Sequence, residues 1–243
     1  MKRDLIVANW KMFLGDQTSQ SYLANIKPSL AGLNSDVWFS VPYTVLSSSA
    51  ALLPSQIGAQ NAHWEPEGAF TGEISAPMLK AAGATFSLCG HSERRQLFGE
   101  SPESAAKRAS AILGANLHCI FCVGETLEQY EQGKTFKALE NQLFPLFELI
   151  KDQSFSNELI FAYEPVWAIG TNKVPSLDEI SKSHTFIKNL AQSKLKLIPR
   201  VLYGGSVNTQ NFPAIRNLKE VDGALVGRAS LDPQQFIALV GSL

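Results

Sequence analysis

Residues 159–171 read Leu-Ile-Phe-Ala-Tyr-Glu-Pro-Val-Trp-Ala-Ile-Gly-Thr. The stretch begins with an apolar run, ending at Tyr163, that is long enough for one buried strand. Pro165 stops this strand, because proline has no N–H and disfavours helical geometry in the residue before it. Glu164 therefore stands at the carboxyl end of the strand, before an apolar loop in which Gly170 is a flexible joint. The pattern indicates an acid under a hinged flap, which would raise the acid's basicity by burying it; a surface glutamate beside a partly packed loop is the alternative.

Other short apolar runs have the continuous or β-branched character of buried parallel strands. Together with the first stretch, they place the predicted strands at residues 5–8, 37–41, 57–59, 86–89, 119–123, 159–163, 200–203 and 223–226. Segments with helical periodicity alternate with them, at residues 19–33, 42–53, 76–82, 102–115, 127–152, 176–195, 210–218 and 233–243. Strict alternation of strand and helix predicts parallel pairing with right-handed crossovers.

The chain length of 243 residues suits a closed barrel of this kind, which typically has about 250 residues. We therefore predict an α/β fold, a closed eight-stranded parallel barrel that forms a single domain over residues 1–243. An open doubly wound sheet is the alternative. That fold is less well supported, because no glycine-rich phosphate loop follows the first strand.

The composition limits the possible functions. A net charge of −1, with 45% apolar and 18% charged residues, is ordinary for a globular protein. It predicts neither a nucleic-acid partner nor a membrane surface, and no apolar run approaches membrane-spanning length. The first residues lead directly into a strand without a signal-peptide pattern. We expect a cytoplasmic protein.

The three cysteines, Cys89, Cys119 and Cys122, lie in apolar strand-like runs, and their odd number favours reduced thiols. Cys119 and Cys122 have the spacing of a redox motif. Residues three apart in a strand point to opposite faces, however, so we expect no redox or metal role. Because no cluster of His, Asp or Cys has metal-ligand spacing, the sequence predicts no metal.

The polar residues that follow the strands form a candidate site, since catalytic groups in α/β barrels come from the carboxyl ends of strands. They are Asn9-Trp10-Lys11, Gly90-His91-Ser92-Glu93-Arg94-Arg95, Glu164, Tyr203-Gly204-Gly205-Ser206 and Val226-Gly227-Arg228. Singly, each has an ordinary interpretation: Lys11 as a solvated charge, His91 as a core histidine, the glycines as turn residues. Together at one end of a barrel they indicate a functional constellation.

A short helix is predicted after His91, with Ser92 in the capping position. The positive end of a helix disfavours an imidazolium, so His91 is expected to be neutral and able to donate a hydrogen bond to a carbonyl. Glu164 is the candidate base, and Lys11 can balance negative charge on a substrate.

Backbone N–H groups near Gly170, Gly205 and the Gly227-Arg228 turn can bind an anion, because loops after the last two strands of such barrels often hold phosphate. A base, a neutral electrophile and a phosphate site predict proton abstraction beside the carbonyl of a small phosphorylated substrate. The flap would keep the resulting intermediate away from water.

Five motifs resemble the triosephosphate isomerases: Ala8-Asn9-Trp10-Lys11, Gly90-His91-Ser92-Glu93-Arg94-Arg95, residues 162–171, Tyr203-Gly204-Gly205-Ser206-Val207 and Leu225-Val226-Gly227. The resemblance runs from the first strand to the last. It implies a (β/α)8 TIM barrel that interconverts dihydroxyacetone phosphate and D-glyceraldehyde 3-phosphate through an enediolate, in glycolysis and gluconeogenesis. It also implies that no cofactor takes part.

The resemblance further implies roles for individual residues. Glu164 would be the base and His91 the neutral electrophile, with Asn9 and Lys11 contacting the substrate. The amides around the following residues would hold the phosphate: Gly170, Ser206, Gly227 and Arg228. The lid would consist of Pro165, Val166, Trp167, Ala168, Ile169, Gly170 and Thr171.

Two apolar residues, Ile169 and Leu225, would clamp the base under the closed lid, as the resemblance implies. Glu93 is a second carboxylate near the site and has two interpretations. It either relays protons or orders Lys11 through an ion pair, and the ion pair is favoured.

The segment of residues 61–75 is longer than an ordinary connection and carries Trp64 and Phe70, which indicates that it packs against something. The resemblance implies a homodimer in which Thr71 reaches the region of Asn9 and Lys11 of the partner subunit. A loop folded on its own barrel is the alternative.

Three features depart from the family pattern. Arg228 stands where a second glycine is usual; we expect an outward side chain, with strain if the position needs a positive φ. Pro175 in the far hinge is expected to alter lid rates without abolishing catalysis. The apolar stretch Met12-Phe13-Leu14-Gly15 is expected to extend the dimer contact.

Two other functions are possible: a catalytically silent phosphate-binding barrel, or another barrel enzyme acting on a phosphorylated substrate. The joint presence of Asn9, Lys11, His91 and Glu164 argues against the silent barrel. A single phosphate site and a short lid suited to a three-carbon substrate argue against the second.

Overall fold

The computed structural model describes residues 3–170 and 173–241. Its sheet is a closed barrel of eight parallel strands in sequence order, as predicted. The strands are β1 Leu5–Asn9, β2 Asp36–Val41, β3 Ile57–Ala59, β4 Phe86–Cys89, β5 His118–Val123, β6 Leu159–Tyr163, β7 Val201–Tyr203 and β8 Gly223–Val226. The α-helices are α1 Asp16–Leu30, α2 Leu46–Leu52, α3 Ala76–Ala81, α4 Ser92–Leu97, α5 Pro102–Gly114, α6 Leu127–Glu131, α7 Thr135–Ile150, α8 Leu177–Leu195, α9 Phe212–Arg216 and α10 Pro233–Gly241.

Pairing between the first and last strands closes the barrel. Strand β1 pairs in parallel with β8, from Leu5 opposite Gly223 to Ala8 opposite Val226, and with β2 on its other side. Because every neighbouring pair is parallel, all the strands end on the same rim. The polar residues that follow them are therefore brought together there.

Alternation along each strand produces two cores. On β1, Leu5 and Val7 point into the barrel, whereas Ile6 and Ala8 point outward. The inner core consists of Leu5, Val7, Phe86, Leu88, Ile120, Cys122, Ile160, Ala162, Leu202 and Leu225, with Trp38 packed against it. The larger outer core lies between the strands and the helices. The barrel interior is thus filled with side chains and leaves its rim as the place for a site.

The cysteines follow the same alternation. Cys122 lies in the inner core and Cys119 in the outer core, so the two residues of the redox-like spacing face opposite ways. The sulfur of Cys119 instead lies 3.5 Å from that of Cys89 on the neighbouring strand. All three thiols are buried and free.

The prediction of one helix over residues 127–152 was wrong. Two helices, α6 and α7, occupy this segment, with a turn at Gly133 between them. Gly133 has a φ of 65°, a left-handed conformation that favours glycine and cannot continue a right-handed helix. The helical periodicity on both sides hid this break, because a single glycine within a helical pattern is often tolerated.

Residues 61–75 form a loop with a packed base and an exposed tip. The N–H of His63 donates to the carbonyl of Ile74 at 2.7 Å, and the guanidinium of Arg108 lies 5.0 Å from the ring centroid of Trp64. Trp64 therefore packs on its own chain. In contrast, residues 65–73 are all exposed, and Phe70 retains 42% of its accessible surface.

Within the described residues, none of the helices is both long and apolar enough to cross a bilayer.

Candidate active site

Glu164 is the buried acid at the end of β6, with 1% of its surface exposed. Its Oε1 lies 3.0 Å from Nε2 of His91, and its Oε2 accepts a hydrogen bond from the N–H of Ser92 at 2.9 Å. Both partners belong to the start of α4, directly after β4. The barrel thus joins two strand ends that are far apart in the sequence through one carboxylate.

His91 adopts a defined tautomer in this arrangement. Its Nδ1 accepts a hydrogen bond from the N–H of Glu93 at 3.2 Å and therefore carries no proton. We assign the proton to Nε2, which donates to Glu164. The ring is then neutral, and its one N–H points at the acid.

The expected capping arrangement of α4 was wrong. His91 itself is the N-cap of this helix, through the contact between its side chain and the N–H of Glu93. Ser92 is the first helical residue, and its backbone N–H binds Glu164 instead. Serine is the commoner cap, so local preference favoured the wrong residue.

Burial alone would raise the pKa of Glu164, as the sequence analysis expected of a covered acid. The contacts with His91, the charge of Arg95 and the hydrogen bond from Ser92 oppose burial and lower this pKa below its ordinary value. A depressed pKa contributes stability above the unfolded-state pKa, which is lost as the pH falls through the folded-state value. In this conformation, therefore, the carboxylate is stabilised and weakly basic.

Lys11 has an unusual backbone. Its φ of 51° lies in the left-handed region, which costs a non-glycine residue about 1–2 kcal/mol. Two contacts hold it there: its N–H donates to Oδ1 of Asn9 at 3.0 Å, and Nε2 of Gln60 donates to its carbonyl at 2.7 Å. Strain supported by neighbours in this way is typical of functional sites.

The side chain of Lys11 forms an ion pair with Glu93, with 2.5 Å between Nζ and Oε1. This ion pair is the contact expected if Glu93 orders Lys11, which is the interpretation favoured from the sequence. The pair is partly exposed, and the carboxylate fixes the direction of the ammonium group.

A single opening of about 680 Å³ brings the candidate residues together. Its lining includes Asn9, Lys11, His91, Glu93, Glu164, Ile169, Gly170, Gly205, Ser206, Leu225, Gly227 and Arg228. Every predicted catalytic and substrate-binding residue is in this set. Across residues 3–170 and 173–241, no group of three or more His, Cys, Asp or Glu residues is arranged to hold a metal ion.

Gly204 shows how closely β7 approaches the acid. A Cβ at this position would lie 2.8 Å from Cγ of Glu164 and 3.2 Å from the carbonyl oxygen of Tyr163. The N–H of Gly204 donates to that same carbonyl at 2.8 Å. Any side chain here would displace Glu164, so the position requires glycine.

The turn after β8 is unstrained. Arg228 begins the 3-10 turn Arg228–Ser230 with a φ that is not positive, so the strain considered for this residue does not arise. Its side chain is exposed at the rim of the opening. The first N–H groups of a helical turn have no partner within the turn and are suited to an anion.

The segment after Glu164 folds as the 3-10 turn Val166–Ala168 and lies against the segment after β5. The indole N–H of Trp167 donates to Oε1 of Glu125 at 2.7 Å, and the hydroxyl of Ser206 donates to the carbonyl of Ala168 at 2.6 Å. Gly170 follows with a φ of 66°. We call this arrangement of residues 165–170 the docked lid; Thr171, the last predicted lid residue, lies outside the described residues.

Two residues of the site, Gln60 and Glu125, were missed by the sequence analysis. Gln60 supports Lys11, and Glu125 binds Trp167. Arg95 was among the candidate residues without a role of its own, and its Nη1 donates to the carbonyl of Cys122 at 2.7 Å. Gln60 follows β3, and Glu125 lies just after β5. Extending the search for polar residues to these two strand ends would have found both.

A closed α/β barrel with a hydrogen-bonded acid and histidine at its strand ends, beside a turn suited to an anion, defines a barrel enzyme of the acid–base type. Comparison with known proteins narrows this class. The family model described as Triosephosphate isomerase matches residues 4–243. The chain therefore belongs to the triosephosphate isomerase family.

Individual relatives agree over their whole length. The triosephosphate isomerase of Citrifermentans bemidjiense is 41% identical, with 99% of this chain and 98% of that protein covered. That of Aquifex aeolicus is 40% identical, with 99% of each covered. The crystal structure of triosephosphate isomerase from Bartonella henselae matches with a TM-score of 0.88 and 33% identity, covering 99% of this chain and 98% of that chain.

Replacing Arg95 with glutamine is expected to raise the pKa of Glu164, because it removes a positive charge that favours the carboxylate. The measurement is a pH titration of the Glu164 Cδ resonance by NMR in ligand-free protein. Lys137→Gln removes an exposed charge on the outer helix α7 and is the control. An unchanged pKa in Arg95→Gln would show that the charge of Arg95 does not act on Glu164.

Proposed function

We infer that this chain interconverts dihydroxyacetone phosphate and D-glyceraldehyde 3-phosphate through an enediolate intermediate, a step of glycolysis and gluconeogenesis. Membership of the triosephosphate isomerase family supports the reaction. The observation that carries the roles of the residues is the contact of 3.0 Å between Nε2 of His91 and Oε1 of Glu164 at the bottom of the opening. An acid and a neutral hydrogen-bond donor at this spacing can act on adjacent atoms of one small substrate.

Substrate binding replaces the contact between these two residues. A carbonyl that accepts the Nε2–H of His91 must take the position now held by Oε1 of Glu164. The carboxylate then leaves His91 and the N–H of Ser92 and turns toward the carbon beside that carbonyl. It thereby loses hydrogen bonds that lower its pKa and keeps the burial that raises it. The acid becomes a stronger base only when substrate is present.

The reaction then needs no group from outside the pocket. Glu164 takes a proton from the carbon next to the carbonyl. The electron pair of the broken C–H bond forms a carbon–carbon double bond, and the π pair of the carbonyl moves to its oxygen. His91 donates a hydrogen bond to the developing oxyanion, and the ammonium of Lys11 balances its charge. Glu164 returns the proton to the neighbouring carbon, and transfer of the hydroxyl proton between the two oxygens completes the isomerisation.

The phosphate is assigned to the opposite wall of the opening, which Gly170, Ser206, Gly227 and Arg228 line. Backbone N–H groups at this wall would bind its oxygens. The guanidinium of Arg228 adds a positive charge at the rim, where Lys11 is already paired with Glu93. Closure of the lid would exclude water and so suppress elimination of phosphate from the enediolate.

A catalytically silent phosphate-binding barrel is the alternative, and it is not favoured. A barrel that only binds phosphate has no use for a Lys11 held in a left-handed conformation, which costs stability, or for a buried Glu164 in contact with His91.

Glu164→Asp is expected to lower the turnover of glyceraldehyde 3-phosphate by on the order of a hundredfold or more, because the shorter side chain keeps its charge but misplaces the base by about 1 Å. A coupled isomerase assay on purified parent and variant measures this. Glu103→Asp, on the exposed first turn of α5, is the control and should match the parent. A folded parent with no turnover would favour the silent barrel, and equal turnover in Glu164→Asp would remove Glu164 as the base.

We also propose that the chain forms a homodimer. A second opening of about 540 Å³ lies beside Lys11 and is lined by Asn9, Met12, Tyr43, Gln60, Glu73 and Phe98, among others. Gly72 and Glu73 of the exposed tip at residues 65–73 also line this opening, so the groove and the exposed loop belong to one surface. Such a surface is suited to pairing with a copy of itself about a two-fold axis. Thr71 of each copy would then approach Asn9 and Lys11 of the partner subunit.

Exposed apolar residues beside this groove support the dimer. Met12 and Phe13 retain 94% and 56% of their accessible surface, and Phe70 at the loop tip retains 42%. Grouped apolar exposure of this kind marks interaction sites. The apolar stretch after Lys11 thus contributes to the same contact.

Phe70→Asp is expected to raise the dimer dissociation constant at least about tenfold, because the interface would bury an unpaired charge. Sedimentation equilibrium measures this constant. Phe136→Asp is the control, since Phe136 is similarly exposed, at 44%, but lies on the outer helix α7. A parent that is monomeric at micromolar concentration, or a Phe70→Asp protein that dimerises like the parent, would contradict the proposal.

We place this activity in the cytoplasm. The supporting observation is the odd number of cysteines, three, all of which are buried in the barrel. Buried cysteines that do not pair completely are typical of a reducing compartment.

A further inference from the structure

Trp167 in the docked lid contacts two residues of the segment that follows β5. Its indole N–H donates to Oε1 of Glu125 at 2.7 Å. Its ring stacks on Tyr130, with 4.2 Å between ring centroids and 27° between ring planes. The first half of the lid therefore rests on a fixed part of the barrel and not over the opening, whose lining includes Ile169 and Gly170 but not Trp167.

Tyr130 makes a second contact with its hydroxyl, which donates to Oε1 of Glu179 at 2.7 Å. Glu179 closes the capping box of α8, where its Oε2 accepts from the N–H of Ser176 at 2.7 Å and its own N–H donates to Oγ of Ser176 at 3.2 Å. Helix α8 begins directly after the far hinge of the lid, at Pro175. The Tyr130 side chain thus contacts both Trp167 in the lid and the capping box at the start of α8.

Helix α6 holds Tyr130 in place. A capping box formed by Thr126 and Gln129 fixes the start of this helix, and the N–H of Tyr130 donates to the carbonyl of Thr126 at 3.0 Å. The hydrogen bond to the carboxylate of Glu179 raises the pKa of the Tyr130 phenol, so the hydroxyl remains a donor. Because Tyr130 cannot follow the lid, movement of Trp167 toward the opening separates the two rings.

We propose that Tyr130 is a positioning residue for the lid: its ring stabilises the docked lid against the closed one, and so sets how readily the lid closes over substrate and reopens for product release. This inference rests on the lid closure of the proposed function. Loss of the ring contact shifts the equilibrium toward the closed lid. It therefore tightens the binding of ligands that require closure and slows product release.

Two variants separate the contacts of Tyr130. Tyr130→Phe keeps the ring and removes the hydrogen bond to Glu179, whereas Tyr130→Ala removes both. From the usual strength of an aromatic pair, Tyr130→Ala should increase the ratio of closed to docked lid by about fivefold. Tyr130→Phe should retain most of the parent's ratio.

The lid can be observed directly through its tryptophan. The chain has four tryptophans, and incorporation of 5-fluorotryptophan gives each a 19F resonance, of which Trp167 is identified by its loss in Trp167→Phe. Exchange of this resonance in ligand-free protein reports the lid equilibrium without reference to turnover. The affinity for a phosphorylated hydroxamate that mimics the enediolate, together with kcat and KM, reports the consequence for binding.

The proposal expects Tyr130→Ala to shift the exchange of Trp167, bind the hydroxamate about fivefold more tightly, and lower KM and kcat together. Leu127→Ala, an exposed change on the same helix, is the control and should leave all of these quantities at the parent's values. If Tyr130→Ala alters only thermal stability, with the Trp167 exchange and the hydroxamate affinity unchanged, Tyr130 is merely structural and the proposal is overturned.

Failure of the proposed function would give a different result. An inactive parent would overturn the isomerase assignment, while the Trp167 resonance of the ligand-free protein would still test Tyr130. A parent that binds the hydroxamate without any response of its Trp167 resonance would overturn the proposal for Tyr130, because the lid would then not move.

Discussion

Closure of the sheet by β8 and β1 is the constraint on which the rest of the structure depends. Only a closed parallel barrel brings the residues after β1, β4, β6, β7 and β8 onto one rim. The inner core of apolar side chains fills the barrel below that rim. The helices between the strands cover its outside, so the polar groups at the strand ends have one accessible place to meet a ligand.

Most of the unusual local geometry at this rim surrounds one carboxylate, that of Glu164. Gly204 makes room for Glu164, and the start of α4 provides His91 and Ser92 as its partners. Lys11 adopts a left-handed backbone that Asn9 and Gln60 support. The ligand-free site holds its acid in a stabilised and weakly basic state. In the proposed reaction, a substrate carbonyl that arrives at His91 would release the acid. Burial and hydrogen bonding thus shift the pKa of Glu164 in opposite directions. In the proposed reaction, substrate would remove the hydrogen bonds and leave the burial.

The sequence predicted the strands well, and the residues that it predicted for the site line one opening. Buried parallel strands are continuous apolar runs, and chemistry in a barrel lies after such runs, so Glu164 and His91 could be recognised from local pattern. The predictions that were wrong depended on which of several neighbouring residues caps or ends a helix. A serine next to a histidine was taken as the cap of α4, and Gly133 broke a helix whose periodicity continues on both sides.

Contacts between residues that follow different strands could not be predicted from the sequence. The stacking of Tyr130 on Trp167 and the support of Lys11 by Gln60 join residues that follow different strands. No local periodicity encodes these distances, and they follow only once the barrel is closed. The lowered pKa of Glu164 belongs to the same category, because it results from His91, Arg95 and Ser92 together.

The central claim is that a neutral His91 donates its Nε2–H to Glu164 until a substrate carbonyl takes its place. The most direct test is 15N NMR of the His91 ring in ligand-free protein near neutral pH. The account predicts a proton on Nε2, seen as a one-bond N–H coupling, and an Nδ1 shift typical of an unprotonated ring nitrogen. A proton on Nδ1, alone or together with one on Nε2, would contradict it.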